Sequence, residues 1–266
     1  MKVALVHDYL TQRGGAERVA LVLTQAFPDA ELVTSLYDPE GTYPEFGSVS
    51  IRTSFLDRIG LLRRRFRIGL PLFPLAFGTL RVADDADVVL VSTTGFAHGI
   101  PTVKPKVVYC HSPARFLYLV DDYLGRPWWK SPTGWALMAL RPALIAWDQR
   151  AAHSADAYLC NSTVVRDRIR RIYGIDATVV PPPASLDPDG RQEPIGLAPL
   201  PDGTQDSALY LVVSRLMPYK NVDVVIEAFR GMPGRRLLVI GHGPLEDSLR
   251  RDLPPNVTMA KGVSDA

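Results

Sequence analysis

Arg215 and Lys220 stand five positions apart in Val213-Ser214-Arg215-Leu216-Met217-Pro218-Tyr219-Lys220-Asn221, between a strand-like run and a helical one. A planar guanidinium matches two phosphate oxygens at once, an ammonium adds a point charge, and a helix N-terminus already favours anions. Such a turn can grip a diphosphate; the plainer reading is a pair of solvated surface cations. A second strand end carries His111, in Val107-Val108-Tyr109-Cys110-His111-Ser112-Pro113. Pro113 stops the strand there and leaves the imidazole on the rim of a sheet, where ligands of open α/β folds collect. At that place it can hydrogen-bond a hydroxyl such as a sugar's, although a lone histidine is more often structural.

Two glycine turns add to these side chains. Gly14 and Gly15 follow the opening strand, and paired glycines let a substrate approach bare backbone N–H groups at a helix start. The competing reading is a loop-to-helix junction that needs a positive φ. The spacing is not G-x-G-x-x-G, so no dinucleotide fingerprint is present. Gly241 and Gly243, in Val239-Ile240-Gly241-His242-Gly243-Pro244, keep the backbone open where a nucleotide could lie, and Pro244 suits a first helical turn. Two other features are set aside. Asp85-Ala86-Asp87 has a metal-binding spacing but sits in an acidic turn before a strand, and His98 is a weaker strand-end candidate than His111.

A basic segment carries a different chemistry. From Asp57 to Phe77, Arg58, Arg63, Arg64, Arg65 and Arg67 alternate with Ile59, Leu61, Leu62, Phe66, Ile68 and Leu70. That interleaving suits an anionic membrane surface or the phosphate of a lipid-linked acceptor; the alternative is an amphipathic helix with a wet arginine face.

The elements that must hold these residues are legible as alternation. Strand-like runs occur at Val3 to Val6, Leu32 to Thr34, Val88 to Ser92, Lys106 to Cys110, Ala157 to Cys160 and Thr178 to Val180, with helical stretches between them. Alternating strands and helices predict a parallel sheet covered on both faces. Residues 186–207 are crowded with Pro, Asp and Gly and read as a linker. A second series follows: a strand at Leu209 to Val213, a helix around Val222 to Arg230, a strand at Arg236 to Ile240, a helix around Leu245 to Arg251 and a strand at Val257 to Met259. The expected division is therefore a complete domain at 1–185 and the beginning of another at 208–266, shorter than the on the order of 100 residues an independent α/β domain needs. Trp135 to Trp147 reads as a buried helix that Pro142 can kink, too interrupted for the roughly 20 residues of a membrane span.

Composition bounds the function without choosing it. Apolar residues make up 47% and charged residues 22% of 266, as in an ordinary globular protein. Thirty basic against 28 acidic side chains leave +2, which calls for no nucleic acid. Cys110 and Cys160 are too few for a disulfide framework, lack metal-ligand spacing and are expected as buried thiols. The start, Met1 followed directly by a strand-like run, carries no signal peptide pattern, so a cytoplasmic product is expected.

Taken in order, these segments resemble family 4 glycosyltransferases. The resemblance rests on Gly14-Gly15-Ala16-Glu17-Arg18, Tyr109-Cys110-His111-Ser112-Pro113, Asp148-Gln149-Arg150 through Asn161-Ser162, Val179-Val180-Pro181-Pro182, Val213-Ser214-Arg215-Leu216 with Lys220-Asn221, and Ile240-Gly241-His242-Gly243-Pro244. It implies a GT-B fold, with a complete N-terminal Rossmann-like lobe and a partial C-terminal one. It also implies retaining transfer of a hexose, such as mannose from GDP-mannose, to a lipid-linked or polysaccharide acceptor at the inner membrane face. Within it Gly15 borders the donor phosphates, His111 contacts the transferred sugar, Arg215 and Lys220 hold the diphosphate, and Gly241 and Gly243 line the nucleotide. No metal or other cofactor is implied, since cationic side chains stand where a divalent ion would. The family's second lobe also carries two glutamates eight positions apart, which Glu246 and Asp247 do not replace, so weak or absent turnover by these residues alone is expected. The alternative from another class is a non-catalytic remnant that binds membrane or a partner.

Overall fold

The computed structural model describes residues 1–64, 66–124, 127–130, 132–183 and 208–260, apart from the side chains of Arg67, Asp122 and Thr133. The chain divides into two compact units, Met1–Pro188 and Asp189–Ala266. The proposed linker, 186–207, lies outside the described residues.

The first unit is built on seven parallel strands: β1 Val3–His7, β2 Leu32–Thr34, β3 Ile51–Thr53, β4 Val88–Thr93, β5 Lys106–Cys110, β6 Ala157–Cys160 and β7 Thr178–Val179. Their order is β3-β2-β1-β4-β5-β6-β7. Both faces are covered, and the pleat sorts the side chains. On β1, Ala4 and Val6 join Val89, Val91 and Val108 in one core, while Leu5 joins Leu32, Ala20 and Phe46 in the other. This double burial is why the strands read as continuous apolar runs.

The helices are α1 Gly15–Ala26, α2 Gly60–Arg64, α3 Phe73–Thr79, α4 Arg115–Tyr118, α5 Val120–Leu124, α6 Pro132–Ala152 and α7 Thr163–Tyr173. Their ends follow local chemistry. The Ser162 hydroxyl accepts the Val165 N–H at 3.3 Å to open α7, and Gly174, at φ 70°, closes it in the left-handed conformation.

One alternative falls away and one expectation changes. The basic segment is no single amphipathic helix: it breaks into 3₁₀ turns at Phe55–Arg58 and Phe66–Leu72 around α2, followed by α3. Gly60, Gly69 and Pro71 cut the periodicity, and a proline inside a helix loses a hydrogen bond and clashes with the preceding turn. Helix α6 is only half buried, with Leu137 and Leu144 in the core but Trp135 58% and Leu140 41% exposed. Its apolar residues run all round the axis while one side meets the sheet. Among the described residues no helix is long and apolar enough to cross a membrane. Cys110 and Cys160 are buried free thiols, as expected.

The second unit holds three parallel strands, β8 Leu209–Val213, β9 Arg236–Ile240 and β10 Val257–Ala260, in the order β10-β9-β8, with α8 Val222–Arg230 and α9 Glu246–Arg250. Leu216, Val222, Ile226, Phe229, Leu237, Val239, Val257 and Met259 form its own core. Buried Asn256 donates to the carbonyls of Phe229, Met232 and Arg235 at 3.0, 2.9 and 2.8 Å, closing the turn after α8.

Candidate functional site

Strand order reverses between β1 and β4, the place where open α/β sheets bind ligands at their carboxyl edge. The two strands end level, with His7 beside Ser92. The next residue, Asp8, spans the crevice. Its carboxylate accepts the backbone N–H groups of Phe96 (2.9 Å), Ala97 (2.6 Å) and Thr94, and the hydroxyls of Thr93 (3.0 Å) and Thr94 (2.8 Å). Burial pushes Asp8 toward the neutral acid, but the His7 imidazole and the N–H groups of Thr94, Ala97 and Phe96 outweigh it, leaving the acid below its ordinary value. A buried carboxylate with five donors fixes the loop that follows β4.

His111 leaves β5 one strand further along, its backbone N–H bonded to the Thr93 carbonyl at 2.9 Å. Its Nε2 lies 2.9 Å from Ser92 Oγ, and His7 Nδ1 lies 3.0 Å from the same oxygen. Burial, helped by the neighbouring His7 and opposed by Asp8, lowers the His111 pKa from 6.5 to about 3. The imidazole is therefore neutral at physiological pH. Asn161 fastens the same turn by donating to the His111 carbonyl at 3.2 Å.

Gly14 and Gly15 open α1 at this edge. Gly14 is the N-cap in extended geometry, φ −134° and ψ 172°, and neither glycine has a positive φ, so the turn-geometry reading does not apply. A Cβ on Gly14 would lie 2.4 Å from Glu17 Oε2, whereas one on Gly15 would meet nothing within 4 Å. Gly15 is thus bare without a packing reason inside the chain.

The basic segment lies on the same unit. Tyr9, just past β1, stacks on Phe66 with ring centroids 4.4 Å apart. Arg63 is tied to Asp57, with Nε 2.9 Å from its carbonyl and 3.5 Å from its carboxylate. Arg63 and Arg64 line a cavity of about 660 Å³ together with Asp38, Glu40 and Leu61. Arg65 and the Arg67 side chain lie outside the described residues.

In the second unit the four remaining candidates come together at the carboxyl ends of β8 and β9. The Arg215 guanidinium donates to Tyr219 Oη at 3.1 Å, and Lys220 Nζ stands 5.6 Å from the Tyr219 ring, just ahead of α8. Gly241 and Gly243 have φ of 155° and 157°, and a Cβ on them would fall 1.9 Å from the Ser214 carbonyl oxygen and 2.6 Å from that of Leu216. Their backbones grip the Arg215 loop directly, Leu216 N–H donating to His242 O at 2.9 Å. Here the glycines have a structural reason of their own, whatever they line.

The features set aside stay outside the site. His98 is 1% exposed, with Nε2 3.1 Å from Asp148 Oδ1, and the other Asp148 oxygen, Oδ2, accepts from Tyr118 and Tyr173 at 2.7 and 2.9 Å in the core. Asp85 and Asp87 bind Lys2 at the opposite, amino end of the sheet. Among the described residues no group of three His, Cys, Asp or Glu is placed to hold a metal. Sequence reasoning missed Asp8, His7 and Ser92. The only available signal was the polar His7-Asp8 pair at the end of an apolar strand.

The model of Glycosyltransferase Family 4 matches residues 13–187, nearly the whole first unit. The chain belongs to glycosyltransferase family 4. Its α/β fold with a seven-stranded parallel sheet matches GT-B glycosyltransferases. It is similar to HepE of Anabaena, solved in complex with UDP, at 15% identity and a TM-score of 0.61, covering 100% of this chain and 70% of that one. A weaker likeness, TM-score 0.46 at 15% identity, covers 99% of this chain and 71% of CalG4, the calicheamicin glycosyltransferase. No curated protein sequence matches the chain. At 15% identity the likeness to HepE speaks for the fold alone.

Proposed function

We propose that this family 4 member moves a hexose, with mannose from GDP-mannose the first donor to test, onto a lipid-linked or polysaccharide acceptor with retention. The observation that carries the donor class is the β8–α8 turn, where Arg215 and Lys220 flank a helix N-terminus as a diphosphate requires. On the first unit, the neutral His111 and the bare Gly15 backbone at the sheet edge fit a sugar and a phosphate by the same chemistry. HepE was solved with UDP, a ligand of the same class.

In the proposed reaction the bond from the sugar's anomeric carbon to the donor phosphate breaks while one to the acceptor oxygen forms on the same face. The acceptor's proton passes to the departing phosphate oxygen. Arg215 and Lys220 offset the charge that develops on the diphosphate, the part a divalent metal plays elsewhere. Exposed Ile59, Leu61 and Ile68 among Arg58, Arg63 and Arg64 suit peripheral contact with the cytoplasmic face of a membrane carrying the acceptor.

Calorimetric titration with GDP, UDP and GDP-mannose tests the donor assignment without requiring turnover. Arg215→Ala and Lys220→Ala are each expected to weaken nucleotide binding about tenfold, one lost charge-assisted contact. Undiminished affinity in both variants would sink the phosphate assignment. Retention is read from the anomeric configuration of the product by NMR.

A further inference from the structure

The hydrogen-bond chain behind His111 settles which ring nitrogen carries its proton. His7 Nδ1 lies 3.1 Å from the backbone carbonyl of Ser92 as well as 3.0 Å from its hydroxyl. A carbonyl only accepts, so Nδ1 of His7 holds a hydrogen and donates it into the Ser92 pair, whether or not the ring is charged. Ser92 is 1% exposed, and its hydroxyl hydrogen needs an acceptor of its own. Among the described residues the acceptor in reach is His111 Nε2, at 2.9 Å. His111 Nε2 then spends its lone pair on Ser92. The single hydrogen of the neutral ring sits on Nδ1, which no described protein group bonds and which is left for a ligand.

We infer that Ser92 is a positioning residue that locks His111 as its Nδ1–H tautomer, so that His111 meets its ligand as a neutral hydrogen-bond donor. The inference rests on the proposed role of His111 at the site and deepens it. The ligand group facing His111 must be an acceptor, a hydroxyl or phosphoryl oxygen. The same arrangement denies His111 the part of a general base at that face: the one lone pair of the ring is occupied, and the nitrogen left for a ligand already carries its proton. Deprotonation of the sugar acceptor must then fall to another group, which agrees with transfer to the departing phosphate. Low basicity points the same way, since burial already disfavours the imidazolium.

The test is the long-range ¹H–¹⁵N spectrum of the ¹⁵N-histidine-labelled chain at neutral pH, with His111→Gln identifying the His111 signals. The expected pattern is pyrrole-type Nδ1 and pyridine-type Nε2. A pyrrole-type Nε2 in the wild-type chain overturns the inference, so a variant that fails to fold cannot shield it. In Ser92→Ala the lock should be lost, and the signals should move toward the Nε2–H form; in Ser92→Thr, which keeps a hydroxyl, the wild-type pattern should return. An unchanged His111 pattern in a folded Ser92→Ala chain also overturns it. None of these readouts needs donor, acceptor or turnover, so failure of the transferase reading and failure of the tautomer lock are separate results.

Discussion

Asp8 sets the geometry of the crevice, and its removal should be felt in stability. Its five donors come from a loop about 85 positions away, so an Asp8→Asn change turns an acceptor-only group partly into a donor facing N–H groups. A loss of about 2 to 4 kcal/mol is expected from leaving buried polar groups unpaired, read as a lower urea midpoint; an unchanged midpoint contradicts this account. Acid should act in two stages. His111 has its pKa depressed from 6.5 to about 3, so the unfolded chain binds its proton first, and its contribution is whole above 6.5 and lost as pH falls toward 3. Asp8 is also depressed, so its contribution stands above 3.8 and disappears only below that. Urea midpoints of wild type and His111→Gln between pH 4 and 7 should diverge, the variant losing a slope of at most about 1.4 kcal/mol per pH unit. Parallel profiles would mean that His111 titrates normally. The place of His111 just past β5 was legible in sequence because a strand and a proline bracket it. Ser92 and His7 were not, because the partners that give them a role lie 19 and 85 positions distant.

At the level of elements, the four candidate glycines separate into two kinds. Gly15→Ala places a methyl in open space at a helical position, so folding should be unharmed or improved by a few tenths of a kcal/mol. If donor phosphate meets that backbone, the same change should weaken nucleotide-sugar binding, and intact binding would return Gly15 to an ordinary helix start. Gly241→Ala is the opposite case, driving a methyl to 1.9 Å from the Ser214 carbonyl at φ 155°. A cost of about 2 kcal/mol or more is expected, confined to the unit whose core runs from Leu216 to Met259. Hydrogen exchange of the β8 to β10 amides should show the loss, and unchanged protection there would contradict it. Strand bounds were nearly all readable, because most of the strands, buried or not, are short unbroken apolar runs set off by polar or turn residues. Strand β3 was not: Ile51-Arg52-Thr53 is a three-residue edge strand with one exposed residue, too short for any period to register. The alternative of a single amphipathic helix in the basic segment fails for the converse reason, since its interleaved charges imitate a helix that its glycines and proline interrupt.

For the molecule as a whole, the order of the motifs carried the family further than any motif did alone, and the family model covers the unit where that order is densest. What order could not convey is surface. The proposed contact with a lipid-linked acceptor is peripheral and in part electrostatic, and it is carried by side chains rather than by any element order. Arg58 and Arg64 are exposed, as are Ile59 at 45%, Leu61 at 56% and Ile68 at 58%, so one short stretch of the chain carries both exposed cations and exposed apolar side chains. Each cation near an anionic leaflet contributes about 1 kcal/mol, and screening weakens it as the Debye length shrinks. Reversing two charges in Arg58→Glu/Arg64→Glu should therefore cost at least about 2 kcal/mol, some thirtyfold in partitioning onto phosphatidylglycerol-rich vesicles. Sedimentation with such vesicles should also fall as salt is raised, and should be weak on purely zwitterionic ones. Equal binding to both vesicle types, or a double variant that sediments like wild type, would mean that these arginines face water or a soluble saccharide, and the polysaccharide acceptor would then be the one to pursue.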